Sequence, residues 1–115
     1  MFALNFQSKN HEKLLLARQK NCTVRLGDVR DKYHDNSIVW ITVGKKFQQK
    51  RKLYSAIIDR VQIKKIADLT TQDLDHQNPE IKSVGELITF FEQIYQKTIT
   101  LEDNVTVIYF SEVIE

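Results

Sequence analysis

Apolar residues recur along this chain with two different periods, and the period changes more than once. Val, Ile, Trp and Thr crowd residues 37–43, and a second β-rich run covers residues 53–63, so the two predict an antiparallel hairpin. Residues 104–110 mix alternation with β-branched side chains and predict a closing strand. Residues 2–6 and 22–26 predict two shorter strands. Helical spacing takes over at Leu87, Phe90, Phe91, Ile94 and Tyr95, which predicts a helix over residues 83–96. Ser83 with Glu86 three residues on forms a capping box at its start. Residues 11–18, with Leu14, Leu15 and Leu16 as the apolar part, and residues 70–76 predict two further helices. A polar loop covers 29–36, after the Gly27-Asp28 turn, and a basic connection covers 44–52. Strands and helices mix without a regular βαβ rhythm. That predicts an α+β fold on a mostly antiparallel, curved sheet or barrel with flanking helices.

Composition narrows the picture. A chain of 115 residues, 42% of them hydrophobic, predicts one domain over residues 1–115 with one real core. Three glycines and one proline argue against long linkers and against a Gly-rich phosphate loop. Seventeen basic and fifteen acidic residues leave a net charge of +2, which permits nucleic-acid binding without demanding it. Cys22 is the single cysteine, so no internal disulfide forms and a cysteine-based metal site is not expected. His11, His34 and His76 have no ligand-type spacing and read as solvent-exposed or structural. No metal and no cofactor is therefore expected. The short apolar start followed by a polar stretch does not fit a signal peptide, and no apolar run approaches a membrane span. The expected location is cytoplasmic and reducing.

The segment Lys20-Asn21-Cys22-Thr23-Val24-Arg25 carries the best chemical lead. Strand alternation puts Thr23 and Arg25 on one face with Asn21, and Cys22, Val24 and Leu26 on a core face, with Lys20 at the strand entrance. Such a face suits anion binding or activation of a hydroxyl. Thr23 becomes a nucleophile if Lys20, its pKa lowered by burial and by Arg25, removes its proton; a charged Lys20 instead stabilises an oxyanion. The plain alternative is a strand threonine beside solvated cations. Lys45, Lys46, Lys50, Arg51 and Lys52 surround Phe47 in the basic connection, where they suit phosphate contact and base stacking, or else solvate a hairpin tip. Asp73, Asp75 and Glu80 gather before the last helix. Glu80, after Pro79, suits general acid–base work or complements the helix N-terminus. Trp40, Tyr54, Tyr95 and Tyr109 could form a stacking wall but read as core, Trp40 above all.

Taken in order, these pieces resemble the ASCH family, whose fold is similar to that of PUA domains. The family signature is Gly-x-Lys-x-x-Thr-x-Arg after a first helix, and Arg18-Gln19-Lys20-Asn21-Cys22-Thr23-Val24-Arg25 matches its Lys, Thr and Arg. The Gly27-Asp28 turn, the Val/Ile/Trp strand, Asp68-Leu69-Thr70, a helix ending in Ile94-Tyr95 and the closing strand follow in the family's order. The resemblance covers nearly the whole chain. It implies RNA or a modified nucleoside as partner, and small bacterial N(4)-acetylcytidine amidohydrolases as the enzymatic relatives. Those relatives imply a Lys/Thr/Glu catalytic set that carries over to Lys20, Thr23 and Glu80, with Arg25 binding substrate. Counting back from Tyr95 gives Glu80; counting forward from Leu69-Thr70 gives Gln77, which cannot do acid–base work. The resemblance equally implies a non-catalytic RNA-binding module or a ribonuclease using the same basic cleft. One departure is that the family glycine is Arg18 here, which is expected to alter the pocket mouth.

Overall fold

The computed structural model describes every residue except 1, 8, 46, 78–80 and 115, and all but the side chain of Lys9. In chain order it builds β1 (Ala3–Phe6), α1 (Lys9–Leu16), β2 (Cys22–Leu26), β3 (Ile38–Val43), β4 (Arg51–Lys65), a 3-10 turn (Ile66–Asp68), α2 (Thr71–Gln77), α3 (Val84–Tyr95) and β5 (Asn104–Glu112). Each element expected from the hydrophobic pattern is present. The second hairpin strand is longer than its apolar run, because its polar ends, Arg51–Lys52 and Lys64–Lys65, still pair with β3 and β5.

The strands form one five-stranded sheet in the order β1-β3-β4-β5-β2. Only the β1–β3 pairing is parallel; the other three are antiparallel. Register shifts at Ile41/Thr42 and at Ile58/Arg60 add local twist, and the sheet curls into a half-barrel. The curl brings the two edge strands towards each other. Arg25 Nη2 on β2 donates to the Asn5 carbonyl on β1 at 3.1 Å, so a side chain bridges the seam that no ladder closes.

Alternation on β5 divides the core. Val105, Val107 and Tyr109 pack with Cys22, Val24, Leu87 and Phe91 under α2 and α3. Ile108 and Phe110 pack with Leu4, Phe6, Val39, Ile41 and Ile58 inside the curl. Trp40 does not join either cluster. The expectation of a core tryptophan is corrected: it is 46% exposed on the outer face of β3, with Lys52 Nζ 5.0 Å from its ring centroid. Its neighbours Val39 and Ile41 take the covered face, and alternation sends Trp40 outward.

Local chemistry fixes the helices that flank the seam. The Ser83 hydroxyl accepts from Glu86 N at 3.2 Å, and the Glu86 carboxylate accepts from Lys82 N, so both donors at the start of α3 are satisfied. On α2, buried Asp73 accepts from Tyr109 Oη at 2.6 Å, from Lys64 Nζ at 2.8 Å and from Thr70 N at 3.0 Å. Burial alone would raise this carboxyl, but hydrogen bonds from Lys64, Tyr109 and Thr70 reverse the effect and hold its pKa below the usual aspartate value. The pair clamps α2 against β4 and β5. Among the described residues no helix is long and apolar enough to cross a membrane.

Candidate functional site

A cavity of about 350 Å³ opens at the seam between β1 and β2. Asn5, Phe6 and Gln7 form one side, Thr23, Val24 and Arg25 the other. His11 of α1, Gln77 at the end of α2, and Phe90, Phe91, Ile94 and Tyr95 of α3 complete the wall. The Thr-Arg face of β2 therefore lines this cavity. Thr23 is only 3% exposed. Its Oγ1 accepts from Arg25 Nε at 3.1 Å, and among the described residues its own proton has no acceptor, which leaves it available to a ligand. The Arg25 guanidinium also lies 5.0 Å from the Phe6 ring centroid.

Lys20 stands behind this wall, 1% exposed. Its ammonium donates to Cys22 O at 2.6 Å, Gln77 O at 2.7 Å and Gln77 Oε1 at 2.6 Å. Three oxygens at these distances match the three protons of the charged form. Burial pushes the Lys20 pKa well below an ordinary lysine, and the Arg25 charge adds to that push. Losing a proton would leave one oxygen without its donor, so this geometry fits the cation. Lys20 does not line the cavity, whereas Gln77, which accepts from it, does.

Gln77 is the residue that sequence reasoning set aside for lack of acid–base chemistry. Its Oε1 accepts from both Lys20 Nζ and Val24 N, which fixes the orientation of the amide. The signal that could have found it was the forward count from Leu69-Thr70. Glu80, the preferred third member of the catalytic set, lies outside the described residues.

Spacing alone predicts an exposed or structural role for His11. It is 7% exposed and lines the cavity, with Phe6 and Phe90 ring centroids at 6.0 and 5.8 Å. Its Nε2 is buried without a hydrogen-bond partner among the described residues. Burial first, then the charges of Lys20 and Arg25, lower its pKa to about 3, so the ring is neutral at physiological pH. Cys22, packed beneath the strand, is pushed up to about 12 by burial and is an inert thiol.

Arg18 does adopt the left-handed backbone that a glycine would favour, with φ at 59°. Its guanidinium caps α1 by donating to Leu15 O and Leu16 O, pairs with both oxygens of Glu112 and lies 4.1 Å from the Tyr54 ring centroid. It does not line the cavity. The expected change at the pocket mouth is thus corrected, because these contacts direct the side chain elsewhere.

The basic connection borders the site. A second hollow of about 230 Å³, lined in part by Lys45, Gln48 and Arg51, shares Phe6 and Gln7 with the seam cavity. Gly44 permits the tight return of this segment, since a Cβ there would meet Lys50 Cδ at 2.8 Å and Gln49 O at 2.9 Å. Several of its cations are already engaged: Lys50 with Lys45 O and Gln48 O, Arg51 with Glu12, and Lys52 with Trp40. Phe47 is 93% exposed, and Lys46 lies outside the described residues. Among the described residues no group of His, Cys, Asp and Glu is placed to hold a metal ion.

No family model matches the chain, and no curated protein sequence does. Solved structures do. The chain is similar to protein EF3133 from Enterococcus faecalis V583, described as family-model DUF984, with a TM-score of 0.70 at 13% identity over 98% of this chain and 81% of that one. It is similar to hypothetical protein PH0355, with a TM-score of 0.69 at 15% identity over 97% and 98% of the two chains. It is also similar to an ASCH domain from Lactobacillus crispatus JV V101, with a TM-score of 0.68 at 9% identity over 96% and 77%. At these identities the likeness concerns the fold, and the fold of this chain is ASCH-like.

Proposed function

We propose that the seam cavity binds the base of a nucleoside, free or within RNA. One observation carries this reading. Thr23 and Arg25 face a cavity of small-molecule size whose other walls are largely aromatic. Phe6, Phe90, Phe91 and Tyr95 offer ring faces and edges to a base, while Thr23, Arg25, Gln77 and His11 offer directional hydrogen bonds. The ASCH-like fold supports the reading by analogy. In the adjoining basic connection, Lys45 and Arg51 line the neighbouring hollow and suit the flanking phosphates of an RNA strand, with Lys50 and Lys52 exchanging their present contacts for phosphate. Titration of cytidine, N(4)-acetylcytidine and a short single-stranded RNA tests it. Saturable binding that weakens in Thr23→Ala supports the proposal, and no binding of any of the three overturns it.

A second reading, hydrolysis of the acyl amide on the base's exocyclic nitrogen, is favoured by the Thr23 hydroxyl lying beside Arg25, three residues after a buried lysine of lowered pKa. Thr23 Oγ1 adds to the acyl carbonyl and gives its proton to neutral Lys20. Arg25 stabilises the oxyanion, and Glu80 protonates the departing amine as the C–N bond breaks. Water then cleaves the threonyl ester to release the acid. Lys20 must first leave its oxygen acceptors and lose a proton for this route. Acetate release from N(4)-acetylcytidine is the assay: turnover abolished by Thr23→Ala supports hydrolysis, and no turnover by the wild type excludes it.

A further inference from the structure

The charge around the seam cavity is lopsided. Two cations, Lys20 and Arg25, lie 5.2 and 5.0 Å from the same Phe6 ring centroid. Among the described residues that line the cavity there is no carboxylate. Most acids on the surrounding helices are engaged elsewhere, and Asp75 of α2 lines a separate hollow with Thr71 and Lys82. Glu12 pairs with Arg51, Asp73 holds Lys64 and Tyr109, Glu86 accepts from Lys82 N, and Glu92 accepts from Ile99 N. Buried cations are ordinarily matched by an opposite charge, because moving one out of water costs several kcal/mol even after relaxation, by order of magnitude. Among the described residues Lys20 is matched only by neutral oxygens. Arg25 directs Nε to Thr23 Oγ1 and Nη2 to Asn5 O, so its remaining N–H groups have no acceptor among the described residues.

We infer that the ligand brings the missing charge: an oxyanion, phosphate or carboxylate, seated against Arg25 with the Thr23 hydroxyl as second donor. The low-dielectric wall of aromatic rings strengthens that attraction. The lowered pKa of His11, to which both cations contribute, agrees with a positive cavity and keeps the imidazole from adding a third charge. The inference stands on the charge distribution and does not require that the ligand contain a base.

Calorimetric titration of the wild type with cytidine, cytidine monophosphate, inorganic phosphate and acetate separates the two claims. The expected result is that the monophosphate binds about tenfold or more tighter than cytidine, with a gap that narrows as salt rises. Arg25→Gln should close the gap, and Arg25→Lys should keep part of it. Lys20→Met, which removes the other cation without touching the seam bridge, should narrow it too, and this serves if Arg25→Gln fails to fold. If phosphate or acetate binds and no nucleoside does, the oxyanion site stands and the nucleoside reading falls. If cytidine binds as tightly as its monophosphate, the nucleoside reading stands and the oxyanion site falls. If nothing binds, both fall. A monophosphate that keeps its advantage in both Arg25→Gln and Lys20→Met also overturns the inference.

Discussion

The side-chain oxygen of Gln77 lies 2.6 Å from the ammonium of Lys20 and 3.2 Å from the Val24 amide, which couples the end of α2 to the strand that carries Thr23. Removing that oxygen leaves a buried cation and a buried N–H each short of an acceptor. Gln77→Ala is expected to lose about 2–3 kcal/mol of stability, read as a lower urea midpoint at unchanged slope. Gln77→Glu keeps the acceptors and adds the charge that Lys20 lacks. It should fold, raise the Lys20 pKa and weaken binding of anionic ligands. Unchanged anion affinity in Gln77→Glu would contradict the role given to the two cations.

The Asp73 clamp sets where α2 sits, and hence where Gln77 sits. Asp73→Asn removes the charge that receives Lys64 and Tyr109. It is expected to cost about 2–4 kcal/mol by chemical denaturation. The folded pKa of Asp73 lies below its unfolded value, so its contribution is present above about pH 4 and is lost as pH falls through the folded pKa. Asp73→Asn should therefore flatten the steepest acid part of the stability curve.

His11 acts at higher pH. Its folded pKa of about 3 lies below the ordinary 6.5, so between those values the unfolded chain binds more protons than the folded one. Stability must then fall as pH drops from about 6.5, by up to about 1.4 kcal/mol per unit from this group. His11→Phe keeps an aromatic ring between Phe6 and Phe90 and removes the titration. Measured between pH 4.5 and 6.5, above the Asp73 range, its stability curve should be flatter than that of the wild type. A parallel curve would mean that His11 is accessible to protons in the fold.

Arg18 holds a backbone that costs a non-glycine residue about 1–2 kcal/mol. Arg18→Ala keeps that cost and loses the contacts with Glu112, Leu15 and Tyr54. Arg18→Gly loses the same contacts but relieves the backbone. The glycine variant should melt at the higher temperature of the two, by an amount equivalent to about 1 kcal/mol.

Much of the architecture was legible because hydrophobic period is a local property. The strand at Ile38–Val43 and the capped helix at Val84–Tyr95 announce themselves in their own residues. The site was legible only in part. Lys20, Thr23 and Arg25 stood out by residue type, but whether Lys20 would be solvated or buried depends on α2 folding over it from 57 positions away. Gln77 carries no chemical signal of its own, and its importance is purely positional. His11 looked unremarkable because ligand spacing says nothing about a ring that meets a cavity by itself. Trp40 misled because aromatic character does not say which face of a strand is covered.

The central claim is that the seam cavity is a binding site centred on Thr23 and Arg25. The most direct measurement is the calorimetric titration of cytidine and cytidine monophosphate into the wild type, Thr23→Ala and Arg25→Lys. The account predicts saturable binding of both by the wild type, the monophosphate being favoured, with weaker binding of each by Thr23→Ala and a smaller monophosphate preference in Arg25→Lys. Wild-type affinities that pass unchanged into both variants would place the ligand somewhere else and contradict the account.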